Sequence, residues 1–449
     1  VLDGIWDGMQ IQAPRTVLAE AALDALFLSY ADPELAAEVI LTHFESAPHP
    51  NLPCMREDGS YNMVADDGQI CGTAPEWGYP LWCCQQLCLR SGNLSWLQRL
   101  YPGAAAYVRW WLDHRRDAEG WEIYECSWES GQDVSSRFGP QQTGGTIIQH
   151  LRPVDLQASI AQSAAILASW AEMLSPTHTD ETLPNPYPAD IAFWQEIANE
   201  FTVKTRLMWQ NGWFRDYDSV TKEWSTQQDA MHLAPIFCGA AGLEHIGQLR
   251  PFLAQPPMHS SGWAPLSWPP VVMTLVGAAT AAQMPQEAAE LAYRFIDSSF
   301  RSTDSRELDE EGGLPGVTRE YHRTITTGKD GEIDYANAGI EGYGWGALSV
   351  HLLLCHVLGL HAQDARSMEV APVLPQALHR VGASYRVGPI AWGSYLLHVT
   401  CVVQDDAHYT MQVRCTRAAR SEEEFPQQME EQVWNWEGAW GDKRLLQLP

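Results

Sequence analysis

The stretch ESGQDVSSRF, Glu129 to Phe138, sets one acid among small, aromatic and cationic neighbours. Gly131 and the Ser135–Ser136 pair place Asp133 on backbone that a ligand can approach closely. Trp128 and Phe138 supply an apolar wall, and Arg137 a planar cation suited to sugar hydroxyls or to holding a carboxylate in place. A carboxyl beside apolar walls keeps its proton more strongly than in water, so Asp133 is read as a general acid with a raised pKa. The competing reading is a loop aspartate that caps the following turn.

Outward from this stretch, from Thr16 to about Leu360, apolar residues recur at helical spacing, as in TVLAEAALDALFLSY, PLWCCQQLCLR, AAAYVRWWLDHRR and LQASIAQSAAILASWAEML. Long loops rich in Gly, Pro, Asp and Trp separate these runs and are read as functional rather than connecting. Paired helices in this rhythm are what an (α/α)6 barrel requires, with loops at one end building a pocket. After about Ala371 the texture changes: LHRVGASYRVG, AWGSYLLHVTCVVQ and AHYTMQVRC alternate polar and apolar residues and predict antiparallel strands. The expected division is a barrel over 1–365 and a small β-rich appendage with an acidic, Trp-containing tail over 366–449. The tail is expected to pack across the barrel or to continue the sheet.

The Asp133 segment resembles the signature of the trehalase-like inverting glycosidases, glycoside hydrolase families 37 and 63 of the six-hairpin clan, which reads roughly ESGWD-x-SSRW with the Asp as general acid. Gln132 stands where that pattern has Trp. The likeness continues in order through RPVDLQASI, NGWFRDYD, SGWAPLSW, TREYHRTITTG and EGYGWGAL, and upstream in IWDGM, so it covers about Ile5 to His356. The resemblance implies a mainly α, (α/α)6 barrel and an exo-acting, inverting hydrolase of an α-linked glucoside or related small saccharide. It implies Glu320 as the general base, with Glu332, Asp334 and Glu341 as rivals in the same segment, read as a loop. It also implies that Trp6 and Asp7 line the innermost sugar subsite. Trp263 and Trp345 are the first candidates for stacking on a sugar ring, followed by Trp77, Trp128 and Trp213; Glu129 and Tyr321 join the substrate-binding set as members of the same motifs. MHSSG, Met258 to Gly262, replaces the family's Gln-Trp-Asp and speaks against trehalose itself.

Hydrolysing a glycosidic bond with inversion needs an acid on the leaving oxygen and a second carboxylate about 6.5–9.5 Å away to activate water. Asp133 and Glu320 must therefore converge from distant loops. An epimerase or lyase on the same barrel would instead use His150, His322 or Tyr321 as proton carrier, and a catalytically inactive carbohydrate-binding protein would keep only the aromatic pocket.

Composition bounds the partners. A net charge of −28, from 28 basic and 56 acidic residues, repels nucleic acid and anionic membranes but not a neutral sugar. Twenty Trp in 449 residues is a heavy load of flat apolar faces, and the ten Cys show no C-x-x-C spacing and read as buried thiols. No dinucleotide, phosphate-loop, esterase or zincin motif occurs, and no metal or cofactor is expected. The opening residues carry no basic and apolar leader, so a cytoplasmic protein is expected, although a start at Val1 leaves a removed export signal open.

Overall fold

In the computed structural model the helical rhythm of the sequence becomes a set of buried helices alternating with half-exposed ones. The structure describes residues 17–449 except 56–57, 134, 140–142, 179–184, 257–267, 302–318, 327–332, 342 and 418–430, and only the backbone of 301, 319, 321–326 and 333–341. The helices are α1 (Leu18–Leu28), α2 (Pro33–Ser46), α3 (Tyr79–Ser91), α4 (Leu94–His114), α5 (Val154–Leu174), α6 (Tyr187–Leu207), α7 (Ala234–Phe237), α8 (Leu243–Ala254), α9 (Pro269–Ala281), α10 (Pro285–Arg301) and α11 (Leu348–His351), the last running into a π turn, Leu352–Val357.

Local chemistry explains the starts. Asp32 caps α2 by accepting from the Leu35 N–H at 2.9 Å, with Pro33 in the first turn, where its missing N–H costs nothing. Asn93 caps α4 in the same way, accepting from the Trp96 N–H at 3.0 Å. α1, α5 and α9 are apolar on most faces and buried on most faces, whereas α2, α4 and α6 keep a solvated side. α1 packs against α2, α5 against α6, and α9 against α10. One continuous core includes residues from all of these helices.

Two-residue strands β1 (Leu151–Arg152), β2 (Trp209–Gln210), β3 (Trp213–Phe214), β4 (Tyr217–Asp218) and β5 (Glu223–Trp224) pin loops at the ends of α5 and α6. The segment read as a loop around Glu320 forms an antiparallel hairpin instead, β6 (Arg319–Thr326) with β7 (Ile333–Glu341). The β-favouring residues Tyr321, Thr324, Ile325 and Thr326 are the strand signal that the glycine-rich surroundings obscured.

Beyond Gly359 the regular structure of the described chain is strand, apart from one short turn of 3-10 helix, Gln376–Leu378. β10 (Ser384–Trp392), β11 (Tyr395–Val403), β12 (His408–Arg417) and β13 (Glu431–Ala439) form one antiparallel sheet in sequence order, and β8 (Leu360–Asp364), β9 (Ser367–Val370) and β14 (Arg444–Gln447) form a second. Val399 pairs with Val413 and Cys401 with Met411, and this buried face packs with Leu354 and Leu358 into a second core. The acidic tail thus continues the sheet as β13. The β8–β9 hairpin spans the expected boundary at 365/366. All ten cysteines are buried and unbridged, and no described helix is long and apolar enough to cross a membrane.

Candidate active site

The N-terminal ends of α1, α3, α9 and α11 converge and, with the loop from Trp128 to Asp133, line a pocket of about 80 Å³. Asp133 and Glu320 both line it.

The Asp133 loop is shaped before it is functional. A tight turn over Ser127–Ser130 ends at Gly131, whose φ of +67° is left-handed. A Cβ at Gly131 would lie 2.5 Å from Glu76 Oε2 and 2.8 Å from the Trp77 indole, so glycine is required both by the backbone and by the close approach of those side chains. The Ser127 hydroxyl donates to the Asp133 carbonyl at 2.7 Å, and Ser135 caps the turn over Ser136–Phe138 by accepting from the Arg137 N–H at 3.2 Å.

Glu129 is fully buried away from the pocket lining. It accepts from the Gly72 N–H (3.2 Å), the Glu125 N–H (2.8 Å) and the Arg115 guanidinium (2.9 Å), clasping the loop to two neighbouring segments. Arg137 is likewise internal. Its guanidinium donates to Asp216 at 2.6 and 2.9 Å, to Asp155 at the start of α5, and to the Gln132 amide oxygen at 3.0 Å. Burial works against this charge, yet Asp155 and then Asp216 outweigh it and hold the Arg137 pKa well above its usual value. For Asp216 burial pushes the carboxyl up, but Arg137 and then His232 draw it far below the usual carboxylate range. Of the two uses open to Arg137, the structure places it in the second, holding carboxylates. Trp213 stands one layer further out: its indole N–H donates to His232 Nδ1 at 3.1 Å, leaving Nε2 to donate to Asp216 at 3.1 Å.

Aromatic rings close the pocket in an edge-to-face chain. Trp77 meets Trp268 at 5.3 Å and 83°, Trp268 meets Trp345 at 5.6 Å and 86°, and Trp345 lies against Tyr343 at 4.8 Å. Trp128 adds a half-buried indole to the lining. Trp345 also donates its indole N–H to the Glu320 carbonyl at 2.8 Å, tying β6 to the turn before α11.

Of the remaining expected residues, Trp6, Asp7, Trp263 and Glu332 lie outside the described residues. Tyr321, His322, Asp334 and Glu341 fall on β6 and β7, where only the backbone is described. His150 sits beside β1, its carbonyl accepting from Ser219.

Sequence reasoning missed two carboxyls in the lining, Glu20 and Glu76. Glu20 accepts from the Tyr343 hydroxyl at 2.9 Å. Glu76 is 2% exposed, and its Oε1 has no hydrogen-bond partner among the described residues. Burial, followed by the negative charges of Glu20 and Asp133, raises the Glu76 carboxyl well above the usual carboxylate range. The available signals were a single Glu in the apolar run VLAEAALDAL and a Glu beside a Trp-Gly turn.

A helix-rich chain whose buried helix ends gather carboxyl groups and indoles around one small pocket has the makings of a glycoside hydrolase, and similarity to known proteins establishes that class. The model of the mannosylglycerate hydrolase MGH1-like glycoside hydrolase domain matches residues 13–271, and the chain belongs to that family. Among solved structures, it is similar to the family 63 mannosylglycerate hydrolase from Thermus thermophilus in complex with glucose, at 16% identity and a TM-score of 0.58 over 78% of this chain and 95% of that one. The complex of the same enzyme with Tris and D-glycerate matches at 17% identity and 0.56 over 77% and 96%. Neutral trehalase Nth1 from Saccharomyces cerevisiae matches at 16% identity and 0.52 over 77% and 72%. At these identities the likeness is one of fold. No protein among those of curated function matches the chain.

Proposed function

We propose that the chain is an inverting, exo-acting hydrolase of an α-linked glucoside or a related small neutral saccharide, built on an (α/α)6 barrel. α1, α3, α5, α7, α9 and α11 would form the inner ring, and the strands from β8 onward the appendage, with the seam at Gly359. What supports the reading above all is that Asp133 and Glu320, 187 positions apart in sequence (320 − 133), line one pocket.

In this mechanism Asp133 gives its proton to the departing glycosidic oxygen while Glu320 takes a proton from water. The water oxygen bonds to the anomeric carbon from the opposite ring face as the bond to the leaving group breaks. Trp128 and the Trp268–Trp345 pair hold the ring; the motif resemblance adds Trp6, Asp7 and Trp263, which lie outside the described residues, as candidates for the same subsite. Protonated Glu76 donates to a sugar hydroxyl. Arg137 and Glu129 act as positioning residues that fix the acid's loop.

The choice of a neutral substrate over an acidic one rests on charge. Among the described residues the lining holds Glu20, Glu76, Asp133 and Glu320 and no Lys or Arg. An acidic aglycone such as D-glycerate, found with the bacterial relative, would meet repulsion there. A panel of α-glucosides alongside mannosylglycerate, assayed with wild type, Asp133→Asn and Glu320→Gln, tests the reading. Hydrolysis of a neutral α-glucoside that both substitutions abolish supports it; turnover of mannosylglycerate alone, or sugar binding with no turnover, refutes it.

A further inference from the structure

A second cavity, of about 300 Å³, runs along the helices that carry the catalytic pocket to their opposite ends, from Trp82 and Met273 to Arg90 and Ala281, and shares no lining residue with that pocket. Trp82, Gln86 and Arg90 line it from α3 at i, i+4 and i+8, so they share one face of that helix. Arg90 stands roughly 16 Å along α3 from Tyr79, at the pocket end. His351 and His356 enter from α11 and its π turn, Thr280 from the end of α9, His361 from β8 and Trp392 from the end of β10.

The charge pattern of this cavity is the reverse of the catalytic one. In a protein with a net charge of −28, the described residues lining it include one arginine and three histidines and no carboxylate. Arg90 is 5% exposed and forms no ion pair among the described residues; it donates to the Ser29 hydroxyl and, at 3.3 Å, to the Gln86 carbonyl, and its Nη1 finds no hydrogen-bond partner among them. Its guanidinium carbon lies 4.3 Å from the Tyr30 ring centre and 5.7 Å from that of Trp392. Ring faces and the last carbonyls of α3 offset only a small share of what burying an unpaired cation costs. The Trp392 indole nitrogen, also buried, is a second donor with no partner among the described residues.

The imidazoles add neutral hydrogen-bonding edges. His351 Nδ1 lies 2.8 Å from the Tyr30 hydroxyl and His356 Nδ1 3.1 Å from the Thr280 hydroxyl. Burial lowers the pKa of all three rings, to about 3 for His356. Among the described residues no three His, Cys, Asp or Glu side chains are arranged to hold a metal ion, so the ring cluster is not a metal site.

We propose that this cavity is a second binding site, for a small anion, carboxylate or phosphate monoester, whose charged oxygens pair with Arg90 and whose uncharged body rests between Trp82 and Trp392. The ligand supplies the counter-charge that the fold omits, and it binds without entering the catalytic pocket.

Titration calorimetry on the full chain tests this with inorganic phosphate, D-gluconate and D-glucose 6-phosphate as charged probes and D-glucose as the uncharged control. Ala281 is exposed at the cavity rim, so Ala281→Trp obstructs the cavity while leaving Arg90 in place. The site is read as the part of the binding that Ala281→Trp removes. At least one charged probe is expected to bind there with a Kd on the order of 1 mM or tighter, and glucose at least about tenfold more weakly. Arg90→Gln is expected to weaken the charged probe about tenfold or more, with the α-glucosidase activity of Ala281→Trp unchanged. Tighter binding of glucose 6-phosphate than of gluconate identifies a phosphate ligand, and the reverse order a carboxylate. Absence of any Ala281→Trp-sensitive binding up to about 10 mM, or glucose binding there as tightly as the anions, overturns the proposal. Because the rim variant does not touch Arg90, a failure of Arg90→Gln to fold leaves the test intact.

Discussion

Replacing Gly131 by alanine perturbs the Asp133 loop through a single methyl group, and the structure sets its size. The φ of +67° costs a non-glycine residue about 1–2 kcal/mol. The added Cβ would also sit 2.5 Å from Glu76 Oε2 and 2.8 Å from the Trp77 ring. The Glu76 carboxyl terminus can rotate away, but Trp77 is 1% exposed and packed edge-on against Tyr79 and Trp268, so it cannot. Overpacking of this kind costs about 1–3 kcal/mol, for a combined loss of about 2–5 kcal/mol. Gly212 provides the control, because its φ is +80° and an added methyl would meet nothing within 4 Å among the described residues, so Gly212→Ala should lose the backbone share alone, about 1–2 kcal/mol. Urea denaturation of both variants gives the difference directly, and kcat on an α-glucoside should fall about 100-fold for Gly131→Ala as Asp133 is displaced. Equal losses for the two glycines would refute the claim that the loop is held against Glu76 and Trp77.

Arg137→Met removes the cation between two buried carboxylates and should cost about 3–5 kcal/mol in urea denaturation, with the loss largest above pH 4; Asp216, drawn low in the fold, contributes stability that is present above its unfolded pKa of about 3.9 and fades as pH falls below it. Glu76→Gln should behave oppositely: the raised carboxyl favours the fold most below its unfolded pKa of about 4.3, and that contribution is lost as pH rises through the folded value. The variant should therefore gain stability relative to wild type between pH 5 and pH 8, and a constant difference across that range would contradict a protonated Glu76. Trp128→Ala should raise KM about tenfold, read from initial rates, while leaving urea stability within about 1 kcal/mol, as fits a half-buried ring that meets substrate.

Periodicity made α4 legible because burial on one face leaves a three-to-four-residue signature, whereas α1 and α5, buried on most faces, were legible as long apolar runs rich in Ala and Leu. Alternation did the same for β10, β11 and β12. The Glu320 hairpin was not legible, since REYHRTIT shows no polar–apolar alternation and stands among glycine and charge, and its pairing with β7 is a contact that the sequence alone does not display. Asp133 was visible through its neighbours in the chain. In sequence Arg137 reads as either a sugar contact or a holder of carboxylates, and the choice between them needs the fold, because its partners Asp155 and Asp216 lie 18 and 79 positions away. Glu20 and Glu76 lacked any motif, because what makes each notable is the company of carboxyls from other loops.

The most direct test is the anomeric configuration of the first product, followed by proton NMR during hydrolysis of an α-glucoside, with Asp133→Asn and Glu320→Gln run beside wild type. The account predicts that the β-anomer appears first and mutarotates later, and that each substitution lowers kcat by about 100-fold or more. Initial release of the α-anomer, or undiminished turnover in either variant, would contradict it.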